Sequence, residues 1–279
     1  MFKKLLVSSL IVAAFVSIQS NPCKAEQAFR ISGSTTMQPL SNDAADLYSK
    51  KYGETILVEG GGSGVGIKDA ISGASSLGSS TRALTDAEKV LVTSVTVARD
   101  ALDVIVNEKN PVKNLTRANI TDIFSGKITN WKELGGPDAP IFIVKQPNDF
   151  AETIQLEKYS GLKNAESAES GVNGKFTSKT ETISSNLDLV SYVGENPTAI
   201  GYCSNGTAVT FKEQGIAVKI VSLDGVTPSK ETVFNHTYPV PRELNYVYKT
   251  LNPKTEKFLK IFSTPEGKDL MLKQGFLID

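Results

Sequence analysis

An α/β fold in two domains is what the sequence predicts, from three observations. A strand-like segment, a loop and a helical pattern follow one another three times in the first third of the chain. Each loop is crowded with hydroxyls or glycine: Gly33-Ser34-Thr35-Thr36, Gly60-Gly61-Gly62-Ser63-Gly64 and Gly78-Ser79-Ser80-Thr81-Arg82. At 279 residues the chain exceeds one ordinary core, so two domains of roughly 100–150 residues are expected.

Ala28 to Ile31 reads as the first strand. After its loop, Met37, Leu40, Ala44, Leu47 and Tyr48 recur at helical spacing, and Pro39 is tolerated in the first turn, where its missing N–H has no intrahelical partner to lose. Thr55 to Val58 is strand-like, the glycine loop follows, and Val65 to Ser72 carries a short helical pattern that Gly73 terminates. The third unit begins at Ser76-Leu77, and Thr85 with Glu88 forms a capping box for the next helix. Strand, loop and helix in succession imply crossover connections and a parallel sheet, with ligands beyond the carboxyl ends of the strands. All three loops fall at those ends.

Val95 to Val106 is a long β-rich segment, and Asn107-Glu108-Lys109-Asn110-Pro111 has the composition of a departure into a second domain. There Thr116 caps a helix carrying Ile120, Ile123 and Phe124 that closes at Gly126; Ile141 to Val144 is an apolar strand, and Asn148-Asp149 precedes another helix. Ser184-Ser185-Asn186 caps a helix carrying Leu187, Leu189, Val190 and Val193, and Ala199 to Tyr202 is a buried strand. Tyr246-Val247-Tyr248 is β-rich again, and Phe258, Leu259, Ile261 and Phe262 begin a helical region that returns to the first domain. The first domain is thus expected to span 26–105 with 240–279, and the second 106–239. No exact internal repeat is present, which argues against a solenoid.

Residues 1–25 have the order of a secretory signal: Lys3-Lys4, an apolar stretch from Leu5 to Ile18 interrupted by serines, then a polar region ending at Ala25. The apolar run is too short for a membrane anchor, and Ser20-Asn21-Pro22 before Cys23 lacks the residues of a lipid-attachment box. The expectation is an unanchored protein, periplasmic or secreted, cleaved near Ala25, with Cys203 as its one thiol and hence no internal disulfide. The chain carries 30 basic and 30 acidic residues; without Lys3, Lys4 and Lys24 it has 27 against 30, a net charge of about −3. Nothing in this balance points to nucleic acid, and any anion must be drawn by local dipoles and a few cations.

Free amides at a helix N-terminus carry roughly half a positive charge, and glycine lets backbone approach a ligand closely, so three such loops converging form a socket for a tetrahedral oxyanion. By itself the Gly60 to Gly66 loop is equally a surface turn. A nucleotide phosphate loop is excluded because Ile67-Lys68 stands where Lys-Ser or Lys-Thr is required, and a serine hydrolase elbow because Gly62-Ser63-Gly64-Val65 lacks the final glycine. Arg82 is either an anion ligand or a surface residue at a helix start. His236, the only histidine, lies between Asn235 and Thr237-Tyr238-Pro239 and reads as a solvated turn residue. With dispersed carboxylates and one mature thiol, no metal site and no cofactor is expected. Trp131 reads as structural with its indole N–H paired, and Cys203 as an inert buried thiol.

Seven strings, ISGSTTMQPL, VEGGGSGVGIK, LGSSTRAL, VARDALDVIVN, ITDIFSGKITNW, NPTAIGY and YPVPREL, occur in an order and spacing in which the chain resembles the phosphate-binding proteins that deliver substrate to bacterial ABC importers. The likeness covers nearly all of the chain after the signal segment. It implies a two-domain type II periplasmic binding protein fold, with two crossing segments and a ligand cleft between the domains. It implies a noncatalytic, monomeric receptor whose partners are an inorganic oxyanion, above all phosphate, and the membrane permease of an importer. Carried motif by motif, it implies that Ser34, Thr35 and Thr36 donate from the first loop, Ser63 and Gly64 from the second, and Ser79, Ser80 and Arg82 from the third. A dehydrated phosphate needs a donor for nearly every oxygen, which is why so many hydroxyls and amides converge.

The fourth part of the family's site departs. After the strand at Ile141 to Val144 the family presents an arginine and then a Ser-Gly-Thr turn at a helix start; here the chain reads Val144-Lys145-Gln146-Pro147-Asn148-Asp149-Phe150-Ala151-Glu152. Lys145 and Asn148 are the candidate contacts of this turn, Lys145 keeping a cation without arginine's flat fork. Asp149 and Glu152 add negative charge to a helix start that otherwise attracts an anion, and Phe150 lacks glycine's backbone freedom. Where some family members place an aspartate that accepts a hydrogen bond from protonated phosphate, this chain has Thr81, so Asp100 or Asp103 is the candidate replacement. These departures keep open a binding module for another anion, or one with a sensory or adhesive role. A secreted phosphatase is a third class, opposed by an unpaired nucleophile, base and metal.

Overall fold

The computed structural model describes residues 28–279, so the expected signal segment and its cleavage near Ala25 lie outside the described residues. The first half is built from the three strand–helix units. β1 (Phe29–Gly33) leads to α1 (Gln38–Tyr52), β2 (Ile56–Glu59) to α2 (Ser63–Ser72), and β3 (Leu77–Ser80) to the short α3 (Asp86–Lys89). Proline lies in the first turn of α1, α2 ends on a left-handed Gly73, and Thr85 and Glu88 form both halves of a capping box. β1 pairs in parallel with β2 and β3.

The parallel pattern stops at the long β4 (Thr93–Asn107). Beyond it come β5 (Asn114–Leu115), α4 (Arg117–Phe124), a tight helical turn at Trp131–Leu134, β6 (Phe142–Lys145), α5 (Ala151–Ser160), β7 (Thr180–Thr182), α6 (Asn186–Glu195), β8 (Ala199–Ser204), α7 (Asn205–Glu213), β9 (Val218–Leu223) and α8 (Lys230–Phe234). The chain then returns on β10 (Pro241–Tyr248) and ends with α9 (Pro253–Ile261) and α10 (Pro265–Lys273). The sheet order is β2-β1-β3-β10-β4-β8-β6-β7, with β9 against β4 and β5 against β9. β10 is antiparallel to β3 and β4, β4 is antiparallel to β8 and β9, and β6 is parallel to β8 and β7. The sheet is therefore mixed rather than parallel throughout: two parallel sets are joined by the strands on which the chain leaves and comes back.

Two main apolar cores form. One gathers Phe29, Leu40, Tyr48, Leu77, Ala98, Leu244 and Phe258; the other Ala101, Ile120, Phe124, Trp131, Leu156, Tyr202 and Val240. β4 passes from the first core to the second between Ala98 and Ala101, and the chain entering β10 passes back between Val240 and Leu244. The two strands pair at this crossing, with Asp100 opposite Arg242. In the second core the Trp131 indole donates to the Thr198 carbonyl at 2.9 Å. Cys203 is buried, and burial pushes its thiol well above the ordinary range. Among the described residues no helix is long and apolar enough to cross a membrane.

Glycine has a packing role beyond ligand approach. A Cβ on Gly66 would come within 2.7 Å of the carbonyl oxygens of Ser32 and Ser79, and one on Gly78 within 2.1 Å of the Gly66 carbonyl oxygen. α2 therefore lies backbone to backbone on β1 and β3, which draws the glycine loop in against the other two.

Candidate functional site

The loops at the carboxyl ends of β1, β2 and β3 bring Ser34, Ser63 and Thr81 together. The Thr81 hydroxyl lies 3.4 Å from those of both Ser34 and Ser63. All three side chains are buried, and contacts of that length are weak hydrogen bonds, so the hydroxyls keep most of their donor capacity. The loops are tied to each other by backbone: Gly62 N–H donates to Gly33 O at 2.9 Å and Ser34 N–H to Ser79 O at 3.0 Å, while Thr81 N–H donates to Ser63 Oγ at 3.0 Å. Ser63 and Gly64 open α2, so their amides have no intrahelical partner.

The second half closes onto this cluster. Gln155 of α5 donates to the Thr81 carbonyl at 2.6 Å, and the Phe150 ring lies against Gly62, where a Cβ would come within 3.2 Å of it. The Gln146 side chain is fully buried with neither polar atom hydrogen-bonded, and Gln155 Oε1 is likewise buried without a partner.

Beside the hydroxyls lies a buried ionic cluster centred on Arg242. Its guanidinium holds Asp100 through Nε at 2.9 Å and Nη2 at 2.7 Å, and Glu152 Oε1 through Nη1 at 2.8 Å. Glu152 Oε1 also accepts from the Thr36 hydroxyl at 2.5 Å and from Asn186 Nδ2 at 3.3 Å, and Asn186 Nδ2 reaches Thr36 Oγ1 at 3.1 Å. Burial works against the charge on Glu152, but Arg242 and the Thr36 hydroxyl outweigh it and hold the carboxyl below its usual range. Asp103, close by, accepts from Asn205 at 2.6 Å; burial is the largest influence on it and pushes its carboxyl well above the usual range.

Several residues expected at an anion site have other partners. Arg82 turns onto its own segment, with Nη2 to Glu88 Oε1 at 2.8 Å and Nη1 to Glu88 Oε2 and Ala83 O at 2.9 Å, because the capping box brings the Glu88 carboxylate back over the loop. That bidentate pair pulls the Glu88 carboxyl down to about 2. Asp100 is not a free acceptor: Arg242, Ser204 Oγ at 2.7 Å and Gly206 N–H at 3.1 Å occupy both of its oxygens. Lys145 donates to Asn148 Oδ1 at 2.8 Å, and Asn148 donates to Glu166 at 2.7 Å, so the two form a chain toward the surface. Ser80 bonds the Arg82 backbone, and Ser79 Oγ reaches the Ser32 carbonyl at 3.4 Å. Thr36 is engaged by Glu152, while Thr35 lines a neighbouring cavity of about 630 Å³.

Arg242 and Asn186, together with Thr81, Gln146, Glu152 and Gln155, are residues of the site that were not expected as ligand contacts from the sequence. Arg242 stands inside a quoted string, YPVPREL, but its partner Asp100 is 142 positions away, beyond any local pattern. On the crossing side, Arg99, Arg117, Lys158 and His236 line a cavity of about 490 Å³ together with Arg242 and Glu243. His236 takes a left-handed φ of 59° there.

The model of the PBP superfamily domain matches residues 20–266. The phosphate-binding protein PstS of Bacillus subtilis is 29% identical over 300 residues, covering 99% of this chain and 95% of its own. A Clostridium perfringens structure described as a phosphate ABC transporter substrate-binding protein with bound phosphate superposes with a TM-score of 0.79 at 32% identity, covering 90% of this chain and 99% of its own. An ABC-type phosphate transport receptor of Vibrio cholerae superposes at 0.74 with 26% identity, covering 90% of this chain and 100% of its own. With the two cores, the crossing strands and the facing loops, these likenesses carry the conclusion that the chain belongs to the PBP superfamily, as a type II periplasmic binding protein of the phosphate-importer family.

Proposed function

We propose that the chain is a noncatalytic receptor that captures inorganic phosphate between its two halves, 26–105 with 240–279 and 106–239, and presents it to the membrane permease of an ABC importer. The observation that carries this reading is the convergence of three buried, weakly bonded hydroxyls, Ser34, Ser63 and Thr81, at the carboxyl ends of three strands. The free amides of Ser63 and Gly64 and the orphaned amide of Gln146 add donors at the same loops and at the loop facing them. Arg99, Arg117 and Lys158 make no ion pair among the described residues, and on the wall of this cavity they draw an anion toward a molecule whose net charge, zero for the full chain and about −3 without residues 1–25, does not. Export with cleavage near Ala25, a monomeric state and the permease partnership belong to the same proposal.

Calorimetry with phosphate, sulfate, arsenate and molybdate, on protein freed of bound ligand by unfolding, tests it. Phosphate is expected to bind, and Ser63→Ala to weaken it by about 1 kcal/mol or more. No heat with phosphate, together with binding of another of these anions, favours the second reading, a module with altered specificity. The observation behind that alternative is the occupation of Thr36 and Arg242 by Glu152.

A further inference from the structure

We propose that Glu152 is a tethered anion of the cleft: its carboxylate takes donors that a captured oxyanion would otherwise engage, and clasps the two halves together without ligand. The donors are a loop hydroxyl (Thr36), a guanidinium (Arg242) and an amide (Asn186), all on Oε1. These are the kinds of group that hold an oxyanion. They come from three places: the loop after β1, the crossing strand β10 and the first turn of α6. Glu152 itself lies in the first turn of α5, where the helix amides favour negative charge. It is only 2% exposed, as buried as a bound ligand.

The bond to Thr36 spans the cleft, since Thr36 follows β1 whereas Glu152 and Asn186 belong to α5 and α6. Gln155 on the Thr81 carbonyl and Phe150 on Gly62 add two more bridges, neither of which involves a ligand. Of the two acids that the sequence places at this helix start, Asp149 is exposed, so the buried Glu152 carries the effect. An entering oxyanion must displace this carboxylate from shared donors or lie beside a like charge in a poorly solvated site. Both lower affinity, and Glu152 thereby sets how tightly the cleft holds an anion.

The inference rests on the phosphate reading only in its affinity arm. Glu152→Gln keeps the shape of the side chain, and Arg242 retains Asp100, so the buried guanidinium stays paired; Glu152→Ala is the second variant. Inorganic phosphate is titrated into each ligand-freed protein by calorimetry, and the radius of gyration of each ligand-free protein is measured by small-angle scattering. Both variants are expected to bind phosphate about tenfold more tightly than the parent chain or better. Ligand-free Glu152→Ala is expected to be larger than the ligand-free parent and to contract on adding phosphate. Equal or weaker phosphate affinity in both variants overturns the proposal, and so does a ligand-free Glu152→Ala no larger than the parent. If neither the parent nor either variant binds phosphate, the phosphate reading fails on its own, and the scattering comparison alone decides whether Glu152 clasps the halves.

Discussion

Arg242 stands between Asp100 and Glu152 with its side chain 1% exposed, so three formal charges are buried where β4 and β10 cross. A buried pair of this kind is weak evidence for stability, but removing one member leaves an uncompensated charge out of water. Arg242→Ala is therefore expected to lower stability by about 3–5 kcal/mol, measured as the urea midpoint multiplied by an unchanged slope. Arg242→Lys is expected to recover part of the loss, because a point charge cannot hold both carboxylates as the fork does. At this scale the hydroxyls of Ser34 and Ser63 were legible, since each sits in a short loop whose flanking strand and helix are local patterns, whereas in the third loop Ser79 and Ser80 were expected and Thr81 is the hydroxyl that meets Ser34 and Ser63. The partners of Arg82, Asp100 and Lys145 were not. Arg82 was legible as a charge beside a capping box, but whether it faced the cleft or Glu88 depended on a side-chain path that spacing does not encode.

The strand–loop–helix units were readable as elements because each carries its own start and stop chemistry, such as the box at Thr85 and Glu88 or the left-handed glycine after α2. β7, β9, α7 and α8 are poorly announced. β7 has three residues, Thr180 to Thr182, without an apolar face, and α7 starts directly after β8 with no loop between them. The glycine-rich string VEGGGSGVGIK was readable as a loop, but its glycines divide by role. Gly66 lets α2 touch the strands, whereas a Cβ on Gly64 would meet nothing within 4 Å. Gly66→Ala is expected to lower the thermal midpoint by an amount equivalent to about 1–3 kcal/mol, the cost of overpacking. Gly64→Ala is expected to leave stability equal or slightly higher, by up to about 1 kcal/mol, since the added methyl meets nothing and alanine loses less backbone entropy than glycine on entering the first turn of α2. Equal losses in the two variants would mean that the loop, rather than the α2 contact, limits stability.

For the whole molecule, the crossing of β4 and β10 joins two cores and gathers charge at their junction, and Asp103 reports on that junction through pH. Burial raises its carboxyl well above the ordinary value. A group raised in the folded state contributes stability that is fully present below its unfolded pKa and is lost as pH rises through the folded one. Urea midpoints are therefore expected to decline as pH climbs out of the carboxylate range. Asp103→Asn, whose side-chain carbonyl can keep accepting from Asn205 Nδ2, is expected to flatten that decline. An unaltered slope in the variant would place the pH dependence elsewhere in the molecule.

Local pattern was enough to establish an α/β chain with hydroxyl loops at strand ends and an altered fourth loop, because caps, turn residues and periodicity act within a few residues of one another. The seven strings carried the family, since their order along the chain survives in any fold that keeps it. Tertiary structure alone decided that the sheet is mixed, that Asp100 belongs to Arg242, and that Glu152 fills the donors beside the loops. Those outcomes depend on which distant strands share a register and which side chains meet once water is excluded, and neither is encoded at short range.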